Sequence, residues 1–126
     1  MNKKGLILVS LIAFACEDSK DTSPPSVAII SPTESSSVSE IALIQCVASD
    51  DDSVRIVELW IDSLETGLID SSKPYEFYWN TVLLSDSAEY SLMAMAEDMS
   101  SNISFSPSIN VLVDNTGSNP KSVNIQ

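Results

Sequence analysis

With 126 residues, the chain has room for one modest domain and little besides. Six basic and 18 acidic residues give a formal charge of −12, a surface that repels phosphate backbones and argues against nucleic-acid binding. There is no histidine and there are only 3 glycines, so the commonest general base and any glycine-rich phosphate loop are both missing.

The first predicted element lies ahead of the fold. Residues 1–15 run from a basic start, Lys3 and Lys4, through a compact apolar stretch to small residues before Cys16, the pattern of a secretory signal peptide. The apolar run of residues 5–15 is 11 residues long, against the ~20 that a spanning helix needs. Ala13-Phe14-Ala15-Cys16 resembles a bacterial lipobox, with Ala13 in the place usually held by leucine and Phe14 where a smaller residue is usual. That resemblance implies lipid on Cys16 as the membrane anchor; the alternative is an ordinary secretory peptide cleaved nearby. Loss of Lys3 and Lys4 leaves 4 basic residues against 18 acidic ones, a charge of −14 on a mature chain of 111 residues. Residues 16–25 are polar and end in Pro24-Pro25, which suits an extended tether.

From residue 26 onward no helical stripe persists. Short runs rich in β-branched and aromatic residues recur instead, at 27–30, 41–48, 54–62, 68–70, 75–79, 89–97 and 106–113. Clusters of Ser, Asp, Asn and Pro divide them, which predicts an all-β sandwich of about seven antiparallel strands over residues 26–114. Alternation puts Tyr75, Phe77 and Trp79 on one inner face, Tyr90, Leu92, Ala94 and Ala96 on another, and Ile109, Val111 and Val113 on a third. In 41–48 both faces are apolar, so polarity does not choose between Ala42, Ile44, Cys46, Ala48 and the opposite set. Cys46 reads as a small buried hydrophobe.

Five phrases in order carry a family resemblance. They are Pro24-Pro25-Ser26-Val27-Ala28-Ile29-Ile30-Ser31-Pro32, then Ala48-Ser49-Asp50, then Val54-Arg55-Ile56-Val57-Glu58-Leu59-Trp60-Ile61-Asp62. Pro74-Tyr75-Glu76-Phe77-Tyr78-Trp79-Asn80-Thr81 and Leu92-Met93-Ala94-Met95-Ala96-Glu97-Asp98 complete the set, with Asn102 nearby. Together they resemble the bacterial Ig-like domains found in tandem on secreted and surface proteins. Two departures stand out: Leu59 replaces a preferred aromatic, and Asp62-Ser63 replaces the usual Asp-Gly, which predicts a longer and looser hairpin. The resemblance implies an immunoglobulin-like fold and a role in adhesion, display or spacing, with no recurring catalytic residues and no cofactor.

One constellation invites a metal. Asp50 and Asp52 follow the second run, Asp98 and Asn102 follow the sixth, and an immunoglobulin topology brings those loops to one end. Converging carboxylates suit calcium, which takes six to eight oxygens; the competing reading is that Asp50 and Asp98 bond to backbone amides and fix the turns. Trp60, Met93 and Met95 are predicted to face outward, as are Ile41, Leu43 and Val47. Such residues form either a contact surface for an unidentified protein or glycan, or a packing face for a neighbouring domain.

Residues 115–126 have linker composition and then Ser122-Val123-Asn124-Ile125-Gln126, which reads as the first strand of a further domain. The expectation from sequence is therefore a non-catalytic module of a lipoprotein in the bacterial cell envelope, at the outer membrane or cell surface, made for binding, adhesion or display. The alternative is a structural spacer that carries a further Ig-like or fibronectin type III domain away from the membrane.

Overall fold

The computed structural model describes residues 20–116. The expected signal segment 1–15, Cys16 as the expected lipid acceptor, residues 17–19 and the tail 117–126 lie outside the described residues. Nine strands and no helix occupy the described part: β1 (Ser26–Ser31), β2 (Ser36–Val38), β3 (Ile41–Ser49), β4 (Val54–Ile61), β5 (Leu64–Asp70), β6 (Tyr75–Asn80), β7 (Ala88–Asp98), β8 (Ile103–Phe105) and β9 (Ile109–Val113). Seven overlay the predicted runs. The extra two, β2 and β8, are three residues each, too short for a period of two to declare itself.

The strands form a two-layer sandwich. One sheet has the order β1-β3-β6; the other has β2-β9-β7-β4-β5, with β8 paired to the far half of β7. All ladders are antiparallel except β2 on β9.

Register settles the face that the composition of β3 leaves open. Ala42, Ile44 and Cys46 stand opposite Trp79, Phe77 and Tyr75 of β6, and opposed residues share a face. The aromatic row therefore carries the small set inward. Ile44, Leu59 and Leu92 are fully buried, and each contributes about 1.5–3 kcal/mol by leaving water. From the other sheet, Val57, Leu59, Ala94, Ala96, Val111 and Val113 complete the core.

The turn after β4 is tight, which corrects the expected loose hairpin. Ile61 pairs with Leu64, so Asp62 and Ser63 alone make the connection, both left-handed with φ of 52° and 65°. This is the conformation that a two-residue hairpin demands, normally met by Asn-Gly or Asp-Gly. Ser91 supplies the missing compensation: Asp62 N–H donates to the Ser91 carbonyl at 2.8 Å, and Ser91 N–H donates to Asp62 Oδ1 at 2.9 Å. Next along β5, the ladder shifts register between Glu58 and Trp60. Gly67, at φ 81°, donates its N–H to Glu58 Oε2, while the Thr66 hydroxyl donates to the Leu59 carbonyl. The buried Glu58 carboxylate thus serves a bulge.

Each end of the sandwich is closed by side chains that bond to backbone. At the end where β3 begins, Thr81 N–H and hydroxyl both donate to the Glu40 carbonyl at 2.8 Å. Asn115 accepts from Glu40 N–H at 2.6 Å and donates from Nδ2 to the Thr81 carbonyl at 3.0 Å. Linker composition gives no hint of this, yet the Asn115 side chain is buried.

Candidate binding surfaces

At the opposite end lie the acidic loops. Asp98 ends β7 and is fully buried. Its Oδ1 accepts the N–H groups of Ser100 and Asn102 at 2.8 and 2.9 Å, and its Oδ2 accepts Asn102 Nδ2 at 3.0 Å. Burial alone would raise the Asp98 pKa. The bonds from Asn102, Asp21 and Ser100 outweigh it and hold the carboxyl at about 2. Asp50 accepts Asp52 N–H at 3.0 Å, and Asp52 accepts the Ser100 hydroxyl at 3.3 Å. Of the four residues weighed for calcium, then, Asp50 and Asp98 accept bonds that fix turns, Asp52 accepts one from Ser100 across the two loops, and Asn102 donates to Asp98.

A different trio of carboxylates converges. Asp21, Asp50 and Asp51 each bring an oxygen to within 4.8 Å of the others. Asp21 arrives from the polar lead-in to β1, held there because Asn102 Nδ2 also donates to the Asp21 carbonyl at 3.0 Å. The Ser23 N–H lowers the Asp21 pKa, but burial, the bond with Asp98 and the charges of Asp51 and Asp50 together raise it. Sequence gave no signal for Asp21, which meets its partner 81 residues away through a tertiary contact. Three carboxylates supply part of the six to eight oxygens that calcium takes. The Ser104 hydroxyl, donating to the Pro25 carbonyl, keeps the same lead-in segment beside β8.

The outer face of the larger sheet carries Trp60, Met93 and Met95, on the side expected. Their exposure differs from that expectation. Met95 is only 8% exposed, because it is flanked in register by Glu58 on β4 and by Phe105 on the unpredicted β8. Trp60 and Met93 are half-buried. The Trp60 ring meets Phe105 edge to face, with centroids 5.0 Å apart, and its Nε1 is shielded from solvent without an acceptor among the described residues. The exposed apolar side chains of this face are Ile69, Ile103 and Phe105, set among the charges of Glu65 and of the Arg55–Glu97 pair at 3.6 Å.

The outer face of the smaller sheet is different in kind. Ile41, Val47 and Tyr78 are 53%, 50% and 63% exposed, with Leu43 opposite Tyr78 in the ladder. Glu76 is the only charged residue on β1, β3 and β6, and Gln45 Nε2 donates to it at 3.2 Å. A groove of about 450 Å³ opens where β6 begins beside the second half of β3, with Ile30, Val47, Lys73, Pro74 and Glu76 in its lining along with the inward-facing Cys46, Ala48 and Tyr75. On so acidic a body, a nearly uncharged face is the exception.

Sequence comparison matches residues 25–119 to the bacterial Ig domain family. The chain belongs to that family. No match is found among curated proteins. Among solved structures, the Ig domain is similar to the fibronectin(III)-like modules of CbhA from Clostridium thermocellum, with a TM-score of 0.61 and 22% identity over 72% of this chain and 47% of that one. It is also similar to part of the endo-beta-1,4-mannanase from Thermotoga petrophila, with a TM-score of 0.56 and 13% identity over 75% of this chain and 21% of the enzyme. An engineered protein gives a TM-score of 0.51 at 14% identity over 74% of this chain and 21% of that one. The chain thus spans less than half the length of each of these structures, and the likeness is one of fold.

Proposed function

We propose that this Ig domain is a non-catalytic module of a lipid-anchored protein that works outside the cytoplasm and binds or displays through its weakly charged face. The observation that supports it is the outer face of β1, β3 and β6, where Ile41, Leu43, Val47 and Tyr78 lie open, with Glu76 as the one charge on the strands and Lys73 at the rim. Contiguous apolar area of this sort on a domain surface marks a contact site. The acidic balance of the chain, with 18 acidic and 6 basic residues, suits a soluble body beyond the membrane rather than a nucleic-acid partner.

A second reading, a spacer, draws on the path of the chain. Asp21 lies at the end that holds Asp98 and Asn102, while Asn115 lies at the other end beside Glu40 and Thr81. A module that receives the chain at one end and releases it at the other sets its neighbours apart by its own length.

Metabolic labelling with a palmitate analogue tests the anchor. The natural chain should take up label and sediment with membranes, and Cys16→Ser should do neither. An unlabelled natural chain recovered in the soluble fraction would overturn the lipid-anchored reading. Binding and spacing are then separated by Leu43→Lys. That change should abolish adhesion to the surface the cells colonise if the face binds, and leave it unaltered if the domain only spaces.

A further inference from the structure

The segment that leads into β1 lies across the acidic end of the sandwich as a strap, held by two ties of different chemistry. The inner tie is the Ser104 hydroxyl, which donates to the carbonyl of Pro25, itself buried. No ionisable group takes part in it. The outer tie is Asn102, whose Nδ2 donates to the Asp21 carbonyl at 3.0 Å and to Asp98 Oδ2 at 3.0 Å. Those two bonds engage both hydrogens of the carboxamide, so its 3.4 Å approach to Asp21 Oδ2 is a shared, weaker contact. Ser23 N–H also donates to the Asp21 carboxylate, at 2.9 Å, but it belongs to the strap itself. Between the ties, Thr22, Ser23 and Pro24 are exposed.

The Asp21 carboxylate is thus docked with little help from the domain, and it is docked among its like. Asp21, Asp50 and Asp51 each place an oxygen within 4.8 Å of the others. Asp98, at the end of β7, lies across the shared Asn102 amide. Asp52 and Lys20 line the same cavity, and Lys20 is the cation in that lining. β1 and β8 bring no charge. Like charges this close repel, the more so where water is partly excluded.

We infer that the strap is a proton-governed latch: protonation of Asp21 docks residues 21–24 on the domain, and ionisation frees them while the Pro25 tie holds. A neutral Asp21 carboxyl carries an O–H that can donate to the Asp98 carboxylate, where the ionised form brings only repulsion. Asp98 stays ionised, since burial raises its pKa but the bonds from Asn102, Asp21 and Ser100 hold it at about 2. Ser23 N–H lowers the Asp21 pKa, yet burial, Asp98, Asp51 and Asp50 together carry it above its ordinary value. Docking is therefore complete below the pKa of the released strap and fades as pH rises through the raised value of the docked one. Release lengthens the free chain ahead of the domain by residues 21–24, about 13 Å when extended, and moves its pivot to Pro25. The inference holds whether the module binds a ligand or spaces its neighbours, because the strap is separate from the apolar face that the proposed function uses.

Backbone order parameters from nuclear magnetic resonance test it, on the chain from residue 17 onward with EDTA present to exclude divalent cations. The amides of Asp21, Thr22 and Ser23 should be ordered at about pH 4, near 0.8, and fall below about 0.6 at about pH 7. The amides of β7 should stay ordered at both, which shows that the sandwich itself is intact. Asp21→Asn keeps an acceptor for Ser23 and a donor for Asp98 without the charge, so its strap should stay ordered at both pH values. Asp50→Asn with Asp51→Asn removes two of the repelling charges and should retain much of the order at pH 7. A natural strap equally ordered, or equally loose, at both pH values overturns the inference. So does a loss of order that persists in Asp21→Asn, or one that the paired change at Asp50 and Asp51 leaves untouched.

Discussion

Between Ile44 and Ala48, the ladder with β6 turns the Cys46 thiol into the core, where it is 4% exposed and burial pushes its pKa up to about 11. The thiolate is the form that reacts. In the chain from residue 17, where Cys46 is the only thiol, a disulfide reagent at pH 8 should label the folded protein about a hundredfold more slowly than the urea-unfolded one. Equal rates would mean that β3 does not lie under a closed core. The inward place of Cys46 was half legible, since the alternation of 41–48 is plain and only the choice of face needed the aromatic row of β6. Asn115 is the opposite case. Its side chain bonds to Glu40 and Thr81, 75 and 34 residues away, and nothing in the composition around it separates it from a linker.

The hairpin of β4 and β5 shows how an element can keep its geometry after losing its usual residue. Asp62 and Ser63 both take left-handed backbone, which costs an L-residue more than glycine. The reciprocal bonds with Ser91 hold Asp62 there, but Ser63 has no such clamp among the described residues. Ser63→Gly should therefore raise stability by about 0.5–1 kcal/mol, read from the urea midpoint, and Asp62→Gly should gain nothing because it forfeits the bond to Ser91 N–H. Strands of five or more residues were readable because two or three repeats of the alternation fit within them, except β5, of which only residues 68–70 were expected. β2 and β8 were not, and missing β8 is why Met95 was expected in the open: Phe105, its cross-strand neighbour, had no strand to stand on.

For the molecule as a whole, the acidic end ties stability to pH. The Asp98 carboxyl is held at about 2, below the ~3.9 of an unfolded chain, so its contribution is complete above pH 4 and disappears as pH falls through 2. Asp21 is shifted upward and acts with the opposite sign, favouring the fold where it is protonated and less so as pH rises. Asp98→Asn should accordingly lower Tm at pH 7 by about 10 °C, and that deficit should shrink steadily between pH 4 and 2. A deficit of constant size would mean that Asp98 acts by shape and not by charge. That the loops of Asp50 and Asp98 meet was legible from topology; that Asp21 joins them was not, since a polar lead-in carries no periodicity. The opposite placement of Asp21 and Asn115, where the chain enters and leaves the sandwich, has a mechanical consequence. Tension applied between Asp21 and Asn115 runs along the strands, sliding β1 against β3 and β9 against both β2 and β7. Every rung of those ladders then resists together, as in a lap joint, so the body should withstand tugging far better than strands unzipped one rung at a time.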